Sequence, residues 1–329
     1  MKQIPLGRSR TWVGELSFGA AAIGNLFAPL TDQEAADTLD AAWEAGFRSF
    51  DTAPHYGLGL SERRLGAALR GRPREQFTLS TKVGRLLEPY PGGTGDDLAN
   101  GFAVPATTRR VWDFSADGVR RSLEASLTRL GLDRVDTVYL HDPDDHGEQA
   151  LGQAYPALER LRSEGTVGAI GVGMNQTAML TRFVRDTDID VVLLAGRYTL
   201  LDQQGLAELL PEAARRGVSV VAGGVFNSGL LADPRPDATF DYAAAPTDLL
   251  ERALRIAAVC ERHDLPIRAA AARFPLGHPA VAAVLLGLRS PHEVRDAVEQ
   301  FHRPVPGTLW NDLRDAGLLD ADTPTPGGS

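Results

Sequence analysis

Residues 47–82 read FRSFDTAPHYGLGLSERRLGAALRGRPREQFTLSTK and contain one complete unit of strand, helix and strand. The β-rich segments Phe47–Asp51 and Phe77–Lys82 flank Glu62–Leu69, which follows Ser61 and has apolar residues at helical spacing. A helix between two strands provides the long return that parallel pairing requires. This stretch therefore predicts two parallel strands whose carboxyl ends lie at the same edge of a sheet.

The same alternation continues in both directions along the chain. Eight short segments have the composition of buried strands: Glu15–Gly19, Phe47–Asp51, Phe77–Lys82, Val135–His141, Val167–Val172, Asp190–Ala195, Val218–Ala222 and Ala282–Leu286. Eight such strands that alternate with helices form a closed sheet most simply as a (β/α)8 TIM barrel. The alternative is an open doubly wound sheet, but its glycine fingerprint should follow the first strand. The glycine cluster from Gly168 to Gly173 comes late, and Gln176 stands where the last glycine is required.

Helix boundaries carry their own signals. Thr31 and Glu34 form a predicted capping box, Ser61 precedes the second helix, and Ser115 precedes the third. Glycines stand just past four predicted helix ends, where a left-handed residue is favoured: Gly46, Gly131, Gly165 and Gly217. These signals support the alternation along the chain.

Two segments interrupt the pattern. Arg85–Asp113 is a long connection rich in Gly and Pro after the third strand, and loops of that length usually cover a functional site or are disordered. Asp320–Ser329 lacks apolar periodicity and is expected to be mobile. We therefore predict a single barrel domain over residues 1–319, with a long loop after the third strand, and a flexible tail over residues 320–329.

Composition excludes several classes of protein. The chain has 329 residues, with 34 Lys and Arg against 43 Asp and Glu, which gives a formal net charge of −9. This acidic balance argues against nucleic-acid binding. The single cysteine, Cys260, excludes an internal disulfide. Apolar runs such as Val281–Leu288 fall far below the roughly 18 residues that span a bilayer. Because we find no export signal either, we expect a cytoplasmic protein without membrane partners.

Lysine usage singles out one position. Of the 34 basic residues 32 are Arg, and the two lysines are Lys2 and Lys82. Lys82 ends the third predicted strand, Asp51 ends the second, His141 ends the fourth, and Tyr56 follows Asp51 by five residues. Active sites of barrels lie at the carboxyl ends of the strands. These four side chains are therefore expected to face the mouth of the barrel, which is its open end at the carboxyl ends of the strands.

An ammonium group beside a phenol changes the acidity of the phenol. A free tyrosine has a pKa of about 10, and lowering that pKa to about 7 requires about 4 kcal/mol. An ammonium about 4 Å away supplies roughly this free energy at an effective dielectric constant of about 20. Lys82 can thus make Tyr56 an acid or base near neutral pH, with Asp51 holding Lys82 and His141 binding the reacting oxygen. Taken singly, Asp51 could be a turn residue and His141 a buried structural histidine.

The four residues resemble the motif of the aldo-keto reductase superfamily, which has Asp, a Tyr five residues later, then Lys and His on successive strands. Other segments between about Leu6 and Gln300 resemble the family as well: Phe50–Gly57, Leu60–Arg63, Ser80–Arg85, Tyr139–Asp142 and Gly171–Asn175. Within the superfamily, three segments are similar to bacterial sugar and pyridoxal dehydrogenases: Phe114–Gly118, Leu194–Leu200 and Gly224–Leu230. The resemblance implies a barrel oxidoreductase that uses NAD or NADP.

The resemblance also implies residues that hold the cofactor. Met174 and Asn175 match the pair that binds the carboxamide, and Tyr198 matches an aromatic residue near the nicotinamide. Many members have Gln three residues before that aromatic, where this chain has Ala195. Further implied contacts follow the seventh and eighth strands: Gly223, Gly224, Phe226, Ser228, Leu230, Gly287, Arg289 and Glu293.

Glu293 bears on the choice between the two cofactors. It stands where NADP-dependent relatives have a basic residue, and a carboxylate repels the 2′-phosphate of NADP. We therefore expect a preference for NAD, with Arg289 as the main counterargument.

The expected substrate is a small carbonyl compound or an aldose. Such an enzyme would oxidise the anomeric carbon of L-fucose, D-arabinose or L-galactose to a lactone. Oxidation of pyridoxal and general reduction of aldehydes or ketones are alternatives in the same family. The aromatic residues Tyr90, Phe102 and Trp112 of the long connection would either stack on the substrate ring or anchor the loop.

Two other classes of protein stay open. A Schiff-base aldolase would use Lys82 as its nucleophilic amine, and a cofactor-binding regulatory subunit would have no turnover. A metal site around His141 and His146 is not expected, because only His141 and Asp142 lie at a strand end. We expect Cys260 to be an inert buried thiol. The sequence leaves the oligomeric state open.

Overall fold

Eight parallel strands form a closed barrel in the computed structural model, which describes residues 1–241 and 243–327. In chain order the strands are β1 (Leu16–Gly19), β2 (Ser49–Asp51), β3 (Thr78–Val83), β4 (Thr137–His141), β5 (Ala169–Met174), β6 (Val191–Ala195), β7 (Ser219–Gly223) and β8 (Val281–Gly287). Each strand pairs with the next, and β8 pairs with β1. The predicted barrel is confirmed, and no strand end differs from its prediction by more than two residues.

Helices connect the strands. They are α1 (Asp32–Glu44), α2 (Leu60–Leu69), α3 (Ala116–Leu130), α4 (Tyr155–Ser163), α5 (Thr177–Asp186), α6 (Leu209–Arg216), α7 (Thr247–Arg262), α8 (Ile267–Arg273), α9 (Pro291–His302) and α10 (Gly307–Asp315). A short helical segment, Gly147–Gln149, and a π-helical turn, Ala150–Ala154, precede α4. Among the described residues, none of these helices combines the length and apolar character that crossing a bilayer requires.

The structure tests the predicted helix ends. Thr31 and Glu34 form the capping box of α1, and Ser115 caps α3 by accepting from the amide of Gly118. The four glycines predicted past helix ends all have positive φ: Gly46, Gly131, Gly165 and Gly217. Ser61, which the sequence predicts just before its helix, lies inside α2, because the helix begins one residue earlier, at Leu60 after Gly59; the Ser61 hydroxyl donates to the carbonyl oxygen of Ala20.

An antiparallel hairpin covers the amino-terminal end of the barrel. Its strands are Gln3–Pro5 and Trp12–Gly14. Leu6 and Val13 from this hairpin pack with apolar side chains of the barrel interior. The opposite end, where the strands have their carboxyl termini, is therefore the end that holds the polar site described below.

The long connection after β3 consists of two antiparallel β-ladders. Arg85–Pro89 pairs with Thr108–Trp112, and Asp96–Asp97 pairs with Phe102–Pro105. The amide of Phe27 donates to the carbonyl oxygen of Gly101 and joins the connection to the segment after β1. The connection stands where the sequence predicts it, but it is ordered β-structure, because strand pairing satisfies the backbone polar groups of a long segment.

Residues 320–327 lie against the barrel. Thr323 and Thr325 are buried, and Arg314 donates to the carbonyl oxygen of Thr323 and the hydroxyl of Thr325. This packing differs from the mobile tail expected from Asp320 onward, because polar contacts leave no apolar periodicity to detect. Gly328 and Ser329 lie outside the described residues.

Gly66 sets the distance between α2 and α3. A Cβ at this position would lie 2.0 Å from the carbonyl oxygen of Leu130. We expect Gly66→Ala to lower the free energy of unfolding by about 1–3 kcal/mol, the usual cost of overpacking, although alanine favours a helix by about 1 kcal/mol. Gly152→Ala is the control, because a Cβ at Gly152 would meet nothing within 4 Å. Urea unfolding compares the two, and equal stabilities would contradict this view of the contact.

Candidate active site

Four polar side chains converge at the carboxyl ends of β2, β3 and β4. Asp51 ends β2, Lys82 lies near the end of β3, His141 ends β4, and Tyr56 lies in the turn after β2. The Tyr56 and His141 rings are nearly perpendicular, with centroids 5.8 Å apart. The Lys82 Nζ lies 4.7 Å from the centroid of the Tyr56 ring. The structure thus brings together all four residues that the sequence predicts as catalytic.

Lys82 is held in place as a charged group. Only 2% of the residue is exposed, and its Nζ donates to a carboxylate oxygen of Asp51 and, at 3.0 Å, to the carbonyl oxygen of Thr52. The hydroxyl of Ser80 donates to the other Asp51 oxygen at 2.7 Å. Burial opposes the charged form of Lys82, but attraction and hydrogen bonding to Asp51 and Tyr56 raise its pKa overall. Lys82 is therefore an ammonium at neutral pH.

This charge state bears on the Schiff-base alternative. A lysine that attacks a carbonyl must be neutral, and enzymes achieve this by lowering its pKa. The pKa of Lys82 is raised instead, and its Nζ already donates to Asp51 and Thr52. The geometry therefore disfavours a nucleophilic role for Lys82.

Two further ion pairs surround the same site. Arg85, after β3, pairs with Asp142, which follows His141, and the guanidinium lies 4.3 Å from the ring centroid of Trp112. Arg110, in the long connection, pairs with both oxygens of the buried Asp97. Within the described part of the chain, the site therefore holds three cations, Lys82 included, and each pairs with its own carboxylate.

The positive charges determine the state of the imidazoles. Burial, and then repulsion from Arg85 and Lys82, hold the pKa of His141 well below its usual value. Burial and the same cations, together with Arg110, lower the pKa of His55 to about 2. Both imidazoles are therefore neutral at physiological pH. The buried Nδ1 of His141 has no hydrogen-bond partner among the described residues.

Sequence reasoning missed several of these side chains. His55, Arg85 and Asp142 lie within the segments that resemble the family, but the motif alone gives them no role. Arg110 and Asp97 lie in the long connection, and they contact the site only because the two β-ladders fold over it. No local pattern in that connection signals this contact.

The residues expected to bind the cofactor lie on the other side of the mouth. Met174 ends β5, Gly223 ends β7 and Gly287 ends β8, and Asn175 lies half-buried just beyond β5. Gly224 is exposed with φ +61°, and Gly287 is exposed with nothing within 4 Å of a Cβ placed there. Phe226 is half-buried at the same rim. These exposed glycine backbones leave room for a ligand to approach the main chain closely.

Other predicted cofactor contacts are less accessible. Tyr198 is 1% exposed, and its ring packs against Phe274, with centroids 5.2 Å apart. This burial argues against the nicotinamide contact expected for Tyr198, because the ring has no open face. Leu230 is fully buried, so its side chain is part of the core. Ser228, in the loop after β7, is half-buried and has φ +58°.

The start of α9 places Glu293 and Arg289 side by side. The Glu293 carboxylate accepts from the amide of Arg289 at 2.9 Å, and Ser290 caps the helix. Glu293 itself is exposed. Its carboxylate therefore has a structural role at the helix start and still faces solvent beside Arg289.

The structure separates the aromatic residues of the long connection. Phe102 packs on the rings of His55 and Tyr56, with centroids 5.2 and 6.1 Å away. Trp112, 44% exposed, pairs in register with Arg85 at the base of its ladder. Tyr90, 48% exposed, follows the far end of that ladder, about 16 Å from Arg85 at about 3.3 Å per residue. Trp112 thus lies beside Arg85 of the site, whereas Tyr90 follows the other end of the ladder.

The remaining candidates have ordinary structural explanations. Cys260 is buried in α7, and burial raises the pKa of its thiol to about 12, as expected for an inert cysteine. His146 packs against Trp112, with ring centroids 5.3 Å apart. Within the described part of the chain, no group of three or more His, Cys, Asp or Glu is arranged to hold a metal ion.

Comparison with known proteins identifies the family. A sequence model described as the aldo/keto reductase family matches residues 15–316. The chain belongs to this family. D-threo-aldose 1-dehydrogenase from a Pseudomonas species is 49% identical over 316 residues, which cover 94% of this chain and 95% of that protein. Pyridoxal 4-dehydrogenase from Microbacterium luteolum is 40% identical over 95% of this chain and 97% of that protein.

Solved structures agree with this assignment. The holo form of the aldo-keto reductase AKR11C1 from Bacillus halodurans has a TM-score of 0.76 and 26% identity, covering 98% of this chain and 97% of that one. The resemblance predicted from sequence is confirmed. This aldo/keto reductase is an oxidoreductase that uses a nicotinamide dinucleotide and acts on small carbonyl compounds or aldoses.

Proposed function

We propose that this aldo/keto reductase oxidises an aldose at its anomeric carbon with NAD and releases the lactone. The observation that carries the proposal is the Lys82 ammonium, fixed by Asp51 and set beside the Tyr56 phenol. The 49% identity to a D-threo-aldose 1-dehydrogenase supports the choice of an aldose.

Each member of the tetrad has a distinct role in this proposal. Tyr56, as the phenolate, accepts the proton of the anomeric hydroxyl while a C=O bond forms at C1. Lys82 stabilises the phenolate by about 4 kcal/mol if the charges lie about 4 Å apart at an effective dielectric constant of about 20. Asp51 holds Lys82 in position, and neutral His141 binds the reacting oxygen. When bound, the nicotinamide supplies the acceptor for the hydride that leaves C1.

The mouth contains features that fit a dinucleotide. Gly224 and Gly287 expose main chain at the ends of β7 and β8, and the buried Oδ1 of Asn227 has no partner among the described residues. We assign the carboxamide to Met174 and Asn175. We assign the pyrophosphate to the loop from Gly223 to Leu230. We assign the adenosine ribose to the rim formed by Gly287, Arg289 and Glu293.

A substrate screen tests the proposal. Purified protein with NAD is assayed at 340 nm with L-fucose, D-arabinose, L-galactose and pyridoxal. We expect turnover of at least one aldose with a kcat/KM above that for pyridoxal. Turnover of pyridoxal alone would replace the proposal with pyridoxal oxidation, the reaction that the name of the 40% identical relative describes. No turnover of any compound would favour a noncatalytic, cofactor-binding role.

Glu293 should determine the preference for NAD. A 2′-phosphate about 4 Å from its carboxylate is repelled by about 1 kcal/mol per unit charge in water, roughly a fivefold effect. We expect a higher kcat/KM with NAD than with NADP. Glu293→Gln should raise kcat/KM for NADP about fivefold and leave the value for NAD nearly unchanged. Glu299→Gln, which removes an exposed charge farther along α9, is the control. A wild-type preference for NADP would contradict the role of Glu293.

A further inference from the structure

His55 lies inside the site next to Tyr56. Its ring packs between three others, with centroid distances of 6.0 Å to Tyr56, 5.2 Å to Phe102 and 5.7 Å to His141. The residue is half-buried. A second imidazole therefore adjoins the two residues assigned to the reacting oxygen.

The tautomer of His55 is fixed by its neighbour. Arg110 donates from Nε to the Nδ1 of His55 and from Nη2 to its carbonyl oxygen at 2.9 Å. A guanidinium is always protonated and has no acceptor, so Nδ1 must present its lone pair. In a neutral ring the hydrogen then resides on Nε2. Asp97 orients Arg110 by accepting two hydrogen bonds from the guanidinium.

The Nε2–H group is an available donor. Within residues 1–241 and 243–327, this nitrogen has no hydrogen-bond partner. It belongs to a ring that contacts Tyr56 and His141, beside the place where the substrate oxygen must lie. Fixed, unpaired donors of this kind discriminate strongly between substrates that have an acceptor and those that lack one.

We propose that His55 is a specificity-determining residue whose Nε2–H binds a hydroxyl oxygen next to the reacting carbon of the substrate, and that Arg110 and Asp97 position it. This inference rests on the proposed function in that it assumes a hydroxylated substrate at the same site. It assigns a role to the long connection, which supplies both positioning residues.

Two aldehydes of equal chain length test the proposed hydrogen bond between His55 and the substrate hydroxyl. Glyceraldehyde and propanal differ only in their hydroxyl groups, and both are assayed in the direction of reduction with NADH. We expect His55→Phe, which keeps an aromatic ring beside Phe102, to lower kcat/KM for glyceraldehyde about 10- to 100-fold and for propanal less than about threefold. His55→Gln, which retains a side-chain donor, should recover part of the loss for glyceraldehyde.

The outcomes separate this inference from the proposed function. Equal losses on both aldehydes, or no loss on either, would overturn the role of His55, whatever the aldose screen shows. Failure of every aldose in that screen would overturn the proposed reaction and leave the comparison of the two aldehydes valid.

The positioning role of Arg110 has a spectroscopic signature. The charged and titratable groups around His55 are Arg110, Arg85, Lys82, Asp97, Asp142, Tyr56 and His141. We expect imidazole ¹⁵N spectra of the wild type to show His55 as the Nε2–H form from pH 5 to 9. Arg110→Gln should give a mixture of the Nε2–H and Nδ1–H tautomers, because no guanidinium then donates to Nδ1. Arg109→Gln, an exposed neighbour on the same strand, is the control. A titrating His55 in the wild type would overturn the assignment.

Discussion

Tyr56→Phe is expected to reduce kcat for aldose oxidation by about 10³-fold or more. The variant keeps the ring that packs against Phe102 and His141 and removes only the hydroxyl. General acid–base groups contribute about 10²- to 10⁴-fold to enzymatic rates. The upper part of this range applies because, in the proposed mechanism, the Tyr56 hydroxyl is the one group that exchanges a proton with the substrate.

Steady-state kinetics and dinucleotide binding together test this expectation. Binding of NADH, followed by quenching of tryptophan fluorescence, should change less than about threefold, because the residues assigned to the cofactor lie on β5, β7 and β8. Tyr155→Phe is the matched control, since the Tyr155 hydroxyl contacts Glu159 and the amide of Asp188, which precedes β6 at the amino-terminal end of the barrel. A Tyr56→Phe enzyme that retains a tenth or more of the wild-type kcat would assign the proton transfer to another group.

The barrel and the tetrad could be predicted from sequence because their signals are local. Each strand and helix has its own apolar period and boundary residues, and parallel pairing then brings the carboxyl ends of β2, β3 and β4 together. Asp51, Lys82 and His141 lie at those ends, so their convergence follows from topology. The ring contacts of Tyr56 follow from the short turn after β2.

The rest of the site depends on contacts between segments distant in sequence. Arg110 reaches His55 across 55 positions, through a connection whose β-pairing has no counterpart in the barrel pattern. Tyr198 was assigned to the cofactor by its place in a motif, yet its ring turns into the core against Phe274. A motif specifies which residue occupies a position, whereas the direction of its side chain depends on the packing around it.

The paired charges explain how such a crowded site keeps its imidazoles neutral. Lys82, Arg85 and Arg110 each have a carboxylate partner, so the cost of burying them is partly offset. Their remaining positive potential keeps the pKa values of His55 and His141 low. The same potential favours the phenolate of Tyr56, since charged Lys82 and deprotonated Tyr56 stabilise each other.

Lys82→Met should have the second large effect. Removing the ammonium takes away roughly 4 kcal/mol of phenolate stabilisation, which corresponds to about 10³-fold in rate at neutral pH. The deprotonated phenol drives oxidation, so the lost rate should return as the pH rises. We therefore expect the pH profile of kcat/KM to move upward by about 2–3 pH units. If Lys82 served only to pack against its neighbours, Lys82→Met would lower the rate without moving the pH profile.

The buried carboxylate of Asp51 requires a second variant. Without Lys82, Asp51 has no cation partner among the described residues, and breaking a buried pair in this way costs about 3–5 kcal/mol of stability. The double variant Lys82→Met/Asp51→Asn removes both charges and should unfold at a temperature closer to that of the wild type. It should also show an upward shift in its pH profile, because it too lacks the ammonium beside Tyr56. If the folded double variant kept the wild-type profile, the acidity of the catalytic group would not depend on Lys82, and the proposed role of Lys82 would be wrong.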